Sequence, residues 1–229
     1  STIYKTADPL SGQWEIAIET LEIPVWDPAF YLDDDGRLYL YWGCSNFAPI
    51  RGVEVDYDNH FRFIGEPRQL IFAHPEKYGW EVPGDYNTLK GQAPWIEGAW
   101  LNKHNGRYYL QYAGPGTEYK SYCDGVYVSD SPLGPYELQP HNPFAYKPGG
   151  FAAGAGHGST FQDKYGNWWH IGTMTISQKH MFERRLGLFP AFFDDRGILH
   201  ADTRFGDYPL IIPSEKVEIG RGSCRERVC

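Results

Sequence analysis

The sequence predicts an all-β fold, a β-propeller of short antiparallel units stacked around one axis, and three observations predict it. One frame occurs three times: VWDPAFYLDDDGRLYLYWG, APWIEGAWLNKHNGRYYLQY and GHGSTFQDKYGNWWHIG. Each sets a titratable residue (Asp27, Glu97, His157) nine residues before a turn glycine (Gly36, Gly106, Gly166) that leads into an aromatic run. A fourth turn, at Gly197, leaves these glycines 70, 60 and 31 residues apart, and units that small cannot bury both faces alone. The composition agrees: 17 Tyr, 13 Phe and 8 Trp beside 26 Gly and 17 Pro favour short strands and many turns over long helices. Stacking units radially as blades covers both faces. A jelly roll or plain sandwich would cover them too, but gives no reason for titratable residues to recur at one frame position.

Taken in order, residues 1–22 read as the end of a unit. TADPLSGQWE, around Pro9-Leu10, matches VSDSPLGPYE, around Pro132-Leu133, and both read as the outer edge of a small sheet. Residues 23–72 form a first complete unit, with strands over 29–32, 38–42, 51–55 and 61–64. The Asp33-Asp34-Asp35-Gly36 run is its hairpin turn; EF-hand spacing and the closing Glu are absent. Residues 73–92 are a Pro/Gly-punctuated loop long enough to border a binding site. Residues 93–138 are a second unit, with strands over 99–102, 107–112 and 126–129. Another loop covers 139–150. A third unit spans 151–176 and a fourth 184–212. The tail from residue 218, within EIGRGSCRERVC, breaks every pattern and is expected to be non-native or disordered, leaving one domain over 1–217.

A net charge of −8 without a basic stripe argues against a nucleic-acid partner, and no apolar run reaches the length of a membrane span. Aromatics on an acidic chain suit a neutral stacking ligand such as a sugar, as well as an ordinary β core. Cys44 and Cys123 lack CxxC spacing and read as free, buried thiols. The chain starts at Ser1 amid structured-looking sequence, so export and redox compartment stay open.

In a propeller the first strand of each blade lines the axis, so matching frame positions converge at one end of it. Two carboxylates facing each other there would give the layout of a glycosidase. Glu97, between Ile96, Gly98 and Trp100, is half-shielded, which favours the protonated form a general acid needs. Asp27, between Trp26 and Pro28, either joins it or caps a turn. Trp26 and Trp100 are the aromatic candidates for stacking on substrate. His157 is a ligand or a hydrogen-bonded core residue. Arg184 and Arg185 either reach the axis to bind hydroxyls or carboxylates, or form a surface pair. HExxH, CxxC and GxSxG are absent, which disfavours zinc and serine-nucleophile chemistry.

At these residues the chain resembles glycoside hydrolase family 43: its three motifs look like that family's second, third and fourth blades, over about residues 1–212. The resemblance implies a five-bladed propeller, incomplete here in its first blade, that hydrolyses arabinose- or xylose-containing glycans with inversion. It implies an oligo- or polysaccharide partner. Glu97 matches the general acid, although the family often has Glu-Gly-Pro where this chain has Glu97-Gly98-Ala99. Asp27 matches the aspartate that tunes the acid's pKa and orients substrate. His157 matches the axial histidine that supports Ca2+ through waters, and Arg184 a substrate-contacting arginine of the last blade. The family's general base, an aspartate early in blade one, is expected upstream of Ser1. Asp8, which imitates its motif, is placed by its match to Asp130 at a blade edge. Two other readings are a non-catalytic sugar-binding propeller and a retaining sucrose- or fructan-type enzyme.

Overall fold

The computed structural model describes residues 1–176, 180, 183–204, 206 and 209–217. The tail expected from residue 218 onward lies outside them. The chain forms an antiparallel edge sheet and three full blades. The edge sheet pairs β1 (Ile3–Lys5) with β2 (Glu15–Ile18). The first full blade runs outward as β3 (Ala29–Leu32), β4 (Leu38–Trp42), β6 (Ile50–Asp56) and β7 (Arg62–Ile71). The second is β8 (Ile96–His104), β9 (Arg107–Gly114), β10 (Cys123–Ser129) and β11 (Glu137–Leu138). The two-residue β5 (Cys44–Ser45) crosses over from the first blade to pair with the free edge of β8. The third is β12 (Ala153–Gln162), β13 (Trp168–Thr175), β14 (Arg184–Phe193) and β15 (Leu199–Ala201).

One expectation is corrected here. The stretch 184–212 is not a fourth unit: β14 and β15 continue the ladder of β12 and β13, so the hairpins at Gly166 and Gly197 belong to one blade. The 31-residue interval between those glycines was the cue, being half the blade-to-blade spacing. Arg184 therefore opens the third strand of the blade that carries His157.

Alternation along each strand assigns its two faces to two different interfaces. On β4, Tyr39 and Tyr41 face the second blade, packing with Ile96, Leu101, Leu110 and Tyr112. Leu40 and Trp42 turn the other way, onto Leu21, Val25 and Val53. On β9, Tyr108, Leu110 and Tyr112 face back to the first blade, while Tyr109 joins Val126, Met174, Phe189 and Leu199 against the third. Each blade is thus a wall of two cores, which is why large aromatics fill these strands.

Polar contacts lock the same interfaces. Asp33, at 4% exposure, accepts from Lys103 Nζ at 2.6 Å and from Tyr108 Oη at 2.6 Å, tying the first blade's hairpin to the second blade. Burial pushes the Asp33 carboxyl up, but hydrogen bonds from Lys103, Tyr108 and the Asp34 N–H outweigh it and hold the carboxyl below its ordinary 3.8. A depressed folded value means the contribution is present above 3.8 and is lost as pH falls through the lower folded value. Asp33→Ala, which leaves the Tyr108 hydroxyl without its acceptor and Lys103 with Asp34 alone, is expected to lower unfolding free energy by about 1–3 kcal/mol at pH 7. Urea titrations at pH 7 and pH 2.5 should show that difference shrinking in acid; an equal difference at both would refute the linkage.

Candidate active site

Each inner strand carries a backbone irregularity close to the titratable residue of its frame. Asp27 and His157 adopt left-handed φ values of 50° and 51°, and Gly98, next to Glu97, sits at 62°. The β8–β9 ladder shifts register between Glu97 and Trp100, and the β12–β13 ladder shifts on both sides of Gly156. Such bulges bend a strand and re-aim its side chains. The common nine-residue spacing conceals two turn types. Five residues separate Leu32 from Leu38, and five separate Gln162 from Trp168, whereas only Asn105-Gly106 separates His104 from Arg107. β8 is correspondingly longer at its turn end, and its left-handed residue is Gly98 rather than Glu97.

The outcome is convergence. Asp27, Glu97 and His157 each offer a side-chain atom within 4.8 Å of the others, drawn from β3's approach, β8 and β12. Asp27 and Glu97 are half-buried and His157 is exposed. Glu97 is held at both oxygens: Tyr122 Oη donates to Oε1 at 2.6 Å and Cys44 Sγ to Oε2 at 3.2 Å. Burial, then the neighbouring Glu97, pushes the Tyr122 phenol and the Cys44 thiol up, so both carry protons to donate. Asp27 Oδ2 is buried and has no hydrogen-bond partner among the described residues.

Close backbone approaches fix the rest. A Cβ on Gly98 would lie 2.8 Å from the His157 ring, so that ring rests on bare Cα. Gly156 carries the Tyr122 ring in the same way, and Gly158 that of His170. Below them a buried chain crosses from the second blade to the third. Asn102 bonds Gln111, Gln111 bonds Thr160, and Thr160 Oγ1 meets His170 Nδ1 at 3.0 Å. His170 Nε2 lies 3.1 Å from Asp124 Oδ2, which also accepts the Gly158 N–H at 2.8 Å. This clamps the bulge that carries His157.

Of the other expected residues, Trp26 stands 71% exposed beside Asp27. Trp100 donates its indole N–H to Thr160 O at 2.8 Å, across to the third blade. Arg184 hydrogen-bonds Thr117 and lies close enough to Tyr122 to oppose the rise of its phenol. Cys44, Tyr122 and Asp124 were not singled out for this site from sequence. The one available signal was an acidic residue, Asp124, inside the otherwise apolar run CDGVYVS.

Asp27, Glu97 and His157 could together coordinate a metal ion. Two carboxylates, an imidazole and an adjoining thiol are not the all-oxygen shell of Ca2+; bound directly, they suit a borderline transition metal better. Direct coordination would also occupy the Glu97 carboxylate and keep it from carrying a proton.

The chain belongs to Glycosyl hydrolases family 43, which it matches over residues 2–195. The four sheets are those of that family's five-bladed propeller. A solved endo-1,4-beta-xylanase from Bacteroides thetaiotaomicron superposes with a TM-score of 0.65 at 29% identity, covering 80% of this chain and 62% of that one. A thermostable family-43 glycoside hydrolase shares the fold, with a TM-score of 0.71 at 21% identity, covering 95% of this chain and 70% of that one. Among curated relatives, an arabinoxylan arabinofuranohydrolase of Paenibacillus polymyxa is 31% identical over 187 residues, 72% of this chain and 27% of that protein. A beta-xylosidase of Xylanibacter ruminicola is 27% identical over 157 residues, 58% of this chain and 42% of that protein. The chain thus spans well under half the length of these two curated relatives.

The Gly98–His157 approach is open to a double-mutant cycle. Gly98→Ala combines a left-handed alanine with displacement of the His157 ring and is expected to cost about 2–3 kcal/mol. In a His157→Ala background the same change should cost at least 1 kcal/mol less. Equal costs in both backgrounds, measured by denaturant unfolding, would show that the ring contact is not tight.

Proposed function

We propose that this chain forms the catalytic propeller of a glycoside hydrolase acting on arabinoxylan-type plant glycans, removing arabinose or xylose units. The observation that carries this reading is the convergence of Asp27 and Glu97 at one end of the axis. Relatives named for xylosidase and arabinofuranohydrolase activities support the substrate class. Glu97 is the general acid, protonating the glycosidic oxygen as the bond breaks. Thiols are weak donors, so Cys44 yields Oε2 to the leaving oxygen, while Tyr122 holds Oε1 and fixes the carboxyl plane. Asp27 takes the modulating and substrate-orienting role that the family resemblance implies, and its unpartnered Oδ2 accepts a substrate hydroxyl. Trp26 offers a stacking face beside it, Arg184 supports substrate from the third blade, and His157 stands where it would hold a hydrated Ca2+ through waters.

Inversion requires a base that activates water about 6.5–9.5 Å from the acid. Asp27 is too near Glu97 to fill that role. Asp8 is exposed, and its carboxylate accepts from Leu10 N–H at the start of a short 3-10 turn, which supports assigning the base elsewhere. The Asp27–Glu97 separation is closer to the roughly 5–5.5 Å of a retaining pair, and it favours one second reading, with Asp27 as nucleophile.

Proton NMR of the first-formed sugar decides between them: inversion of the anomeric centre is expected, and retention would move Asp27 from modulator to nucleophile. Glu97→Gln should lower kcat/KM on oligosaccharides about 10²–10⁴-fold, but far less on a dinitrophenyl glycoside whose leaving group needs no proton. Equal losses on both would remove Glu97 from the acid role. Tyr122→Phe is expected to cost about ten-fold in kcat, more than Cys44→Ala, because a short phenol bond to a carboxylate is the stronger contact. The reverse order would contradict the assignment of Oε2 to the leaving oxygen.

A further inference from the structure

Glu81 is a fully buried carboxyl, at 0% exposure, that takes no part in the chemistry drawn above. It closes the short 3-10 turn Gly79–Glu81 within the loop over 73–92. One of its oxygens accepts the Tyr112 hydroxyl of β9, and the other accepts the His74 N–H near the start of the loop. Burial pushes this carboxyl above its ordinary 4.5, and those two bonds offset the push only in part. A carboxyl so placed is a poor filler, since an apolar side chain of similar volume would pack there without the desolvation. What it supplies is direction. Two acceptor oxygens fix the loop to a strand in both distance and angle.

The segment that follows reaches the partner of the acid. Residues 81–84 are buried in a row, and Asn87 Nδ2 ties them by donating to Trp80 O at 3.0 Å and to Val82 O at 2.7 Å. The Trp80 ring covers Gly125 of β10, where a Cβ would lie 2.5 Å from it. Gly84 O then accepts Ser121 Oγ at 2.8 Å, and Asp85 Oδ1 accepts Lys120 N–H at 2.9 Å. Lys120 and Ser121 immediately precede Tyr122, whose hydroxyl holds Glu97 Oε1 at 2.6 Å. On its other side Tyr122 meets the third blade, through bare Gly156 and through Ala155 N–H, which donates to Tyr122 O at 2.9 Å. Contact between a ring and bare backbone has no direction of its own and does little to stop the ring sliding. The bonds at Lys120 and Ser121 oppose that slide, and they are only as firm as the loop that offers them.

We propose that Glu81 is a positioning residue for the acid: it anchors segment 81–85 on β9, and that segment sets the Tyr122 hydroxyl against Glu97. The proposal rests on the glycosidase reading above for its kinetic consequence, though not for its geometry. The loop over 73–92, expected from sequence to border a binding site, serves as a brace that keeps one oxygen of Glu97 in place.

The test separates this role from plain stability. Folded Glu81→Ala should lose about five-fold in kcat on xylobiose or an arabinosylated xylotriose, with KM within about two-fold. On a dinitrophenyl glycoside of the same sugar, whose departure needs no proton, the loss should nearly vanish. In a Tyr122→Phe background the substitution should cost less than about two-fold, since the contact it serves is already gone. Glu81→Gln, which still offers an acceptor to the His74 N–H, should recover most of the loss. Asp85→Ala combined with Ser121→Ala cuts the brace at its far end; it should reproduce the loss, and it carries the test if Glu81→Ala fails to fold. Crystal structures give a readout that needs no activity: the distance from Tyr122 Oη to Glu97 Oε1 should lengthen from 2.6 Å to beyond about 3.5 Å in these Ala variants. Equal losses on both kinds of substrate, an undiminished loss in the Tyr122→Phe background, or an unmoved hydroxyl would overturn the positioning role. A wild type that cleaves no glycoside would overturn the glycosidase reading instead, and the crystallographic distance would then decide the brace alone.

Discussion

The whole arrangement depends on one backbone constraint, the left-handed residue at the inner end of each full blade. A regular strand would send successive side chains to opposite blade faces, into the two cores that hold the propeller together. The turned residues at Asp27, Gly98 and His157 break that alternation where the strand meets the axis. They release a side chain from packing and point it at its counterparts. Non-glycine residues in this conformation are strained by about 1–3 kcal/mol each, and such strain persists only where surroundings hold it. The Asp124–His170–Thr160 chain does so for His157, by seizing the Gly158 N–H one residue on.

The same logic explains the placement of glycine and aromatic residues. Gly98, Gly156 and Gly158 leave space for three rings, those of His157, Tyr122 and His170. Of these rings, Tyr122 reaches Glu97 and His157 joins the site, so the glycines set the geometry of the carboxylate without touching it. The propeller core is built from large aromatics at alternate positions.

Much of this was legible in the chain. The hairpin glycines Gly36, Gly106, Gly166 and Gly197 all adopt left-handed turns where the frame put them, and residues 29–32 and 38–42 are strands with those bounds. The meeting of Asp27, Glu97 and His157 followed from their common frame position. Three things were hidden, for different reasons. Pattern alone marks a hairpin but not the sheet it joins, so β14 and β15 read as a unit of their own. Two residues, Cys44-Ser45, carry no periodicity, so neither their crossing to β8 nor the thiol on Glu97 was visible. The Asp33 carboxylate read as plain turn chemistry, because its partners Lys103 and Tyr108 lie 70 and 75 residues away.

The central claim is that these bulged strand ends form one sugar-cleaving site with Glu97 as its acid. It is tested most directly by a crystal structure of the Glu97→Gln protein with an uncleaved arabinosylated xylotriose. The account predicts a glycosidic oxygen within hydrogen-bond distance of residue 97, with a sugar hydroxyl on Asp27 Oδ2. An oligosaccharide bound elsewhere, or one whose ring hydroxyls rather than its glycosidic oxygen face residue 97, would contradict it.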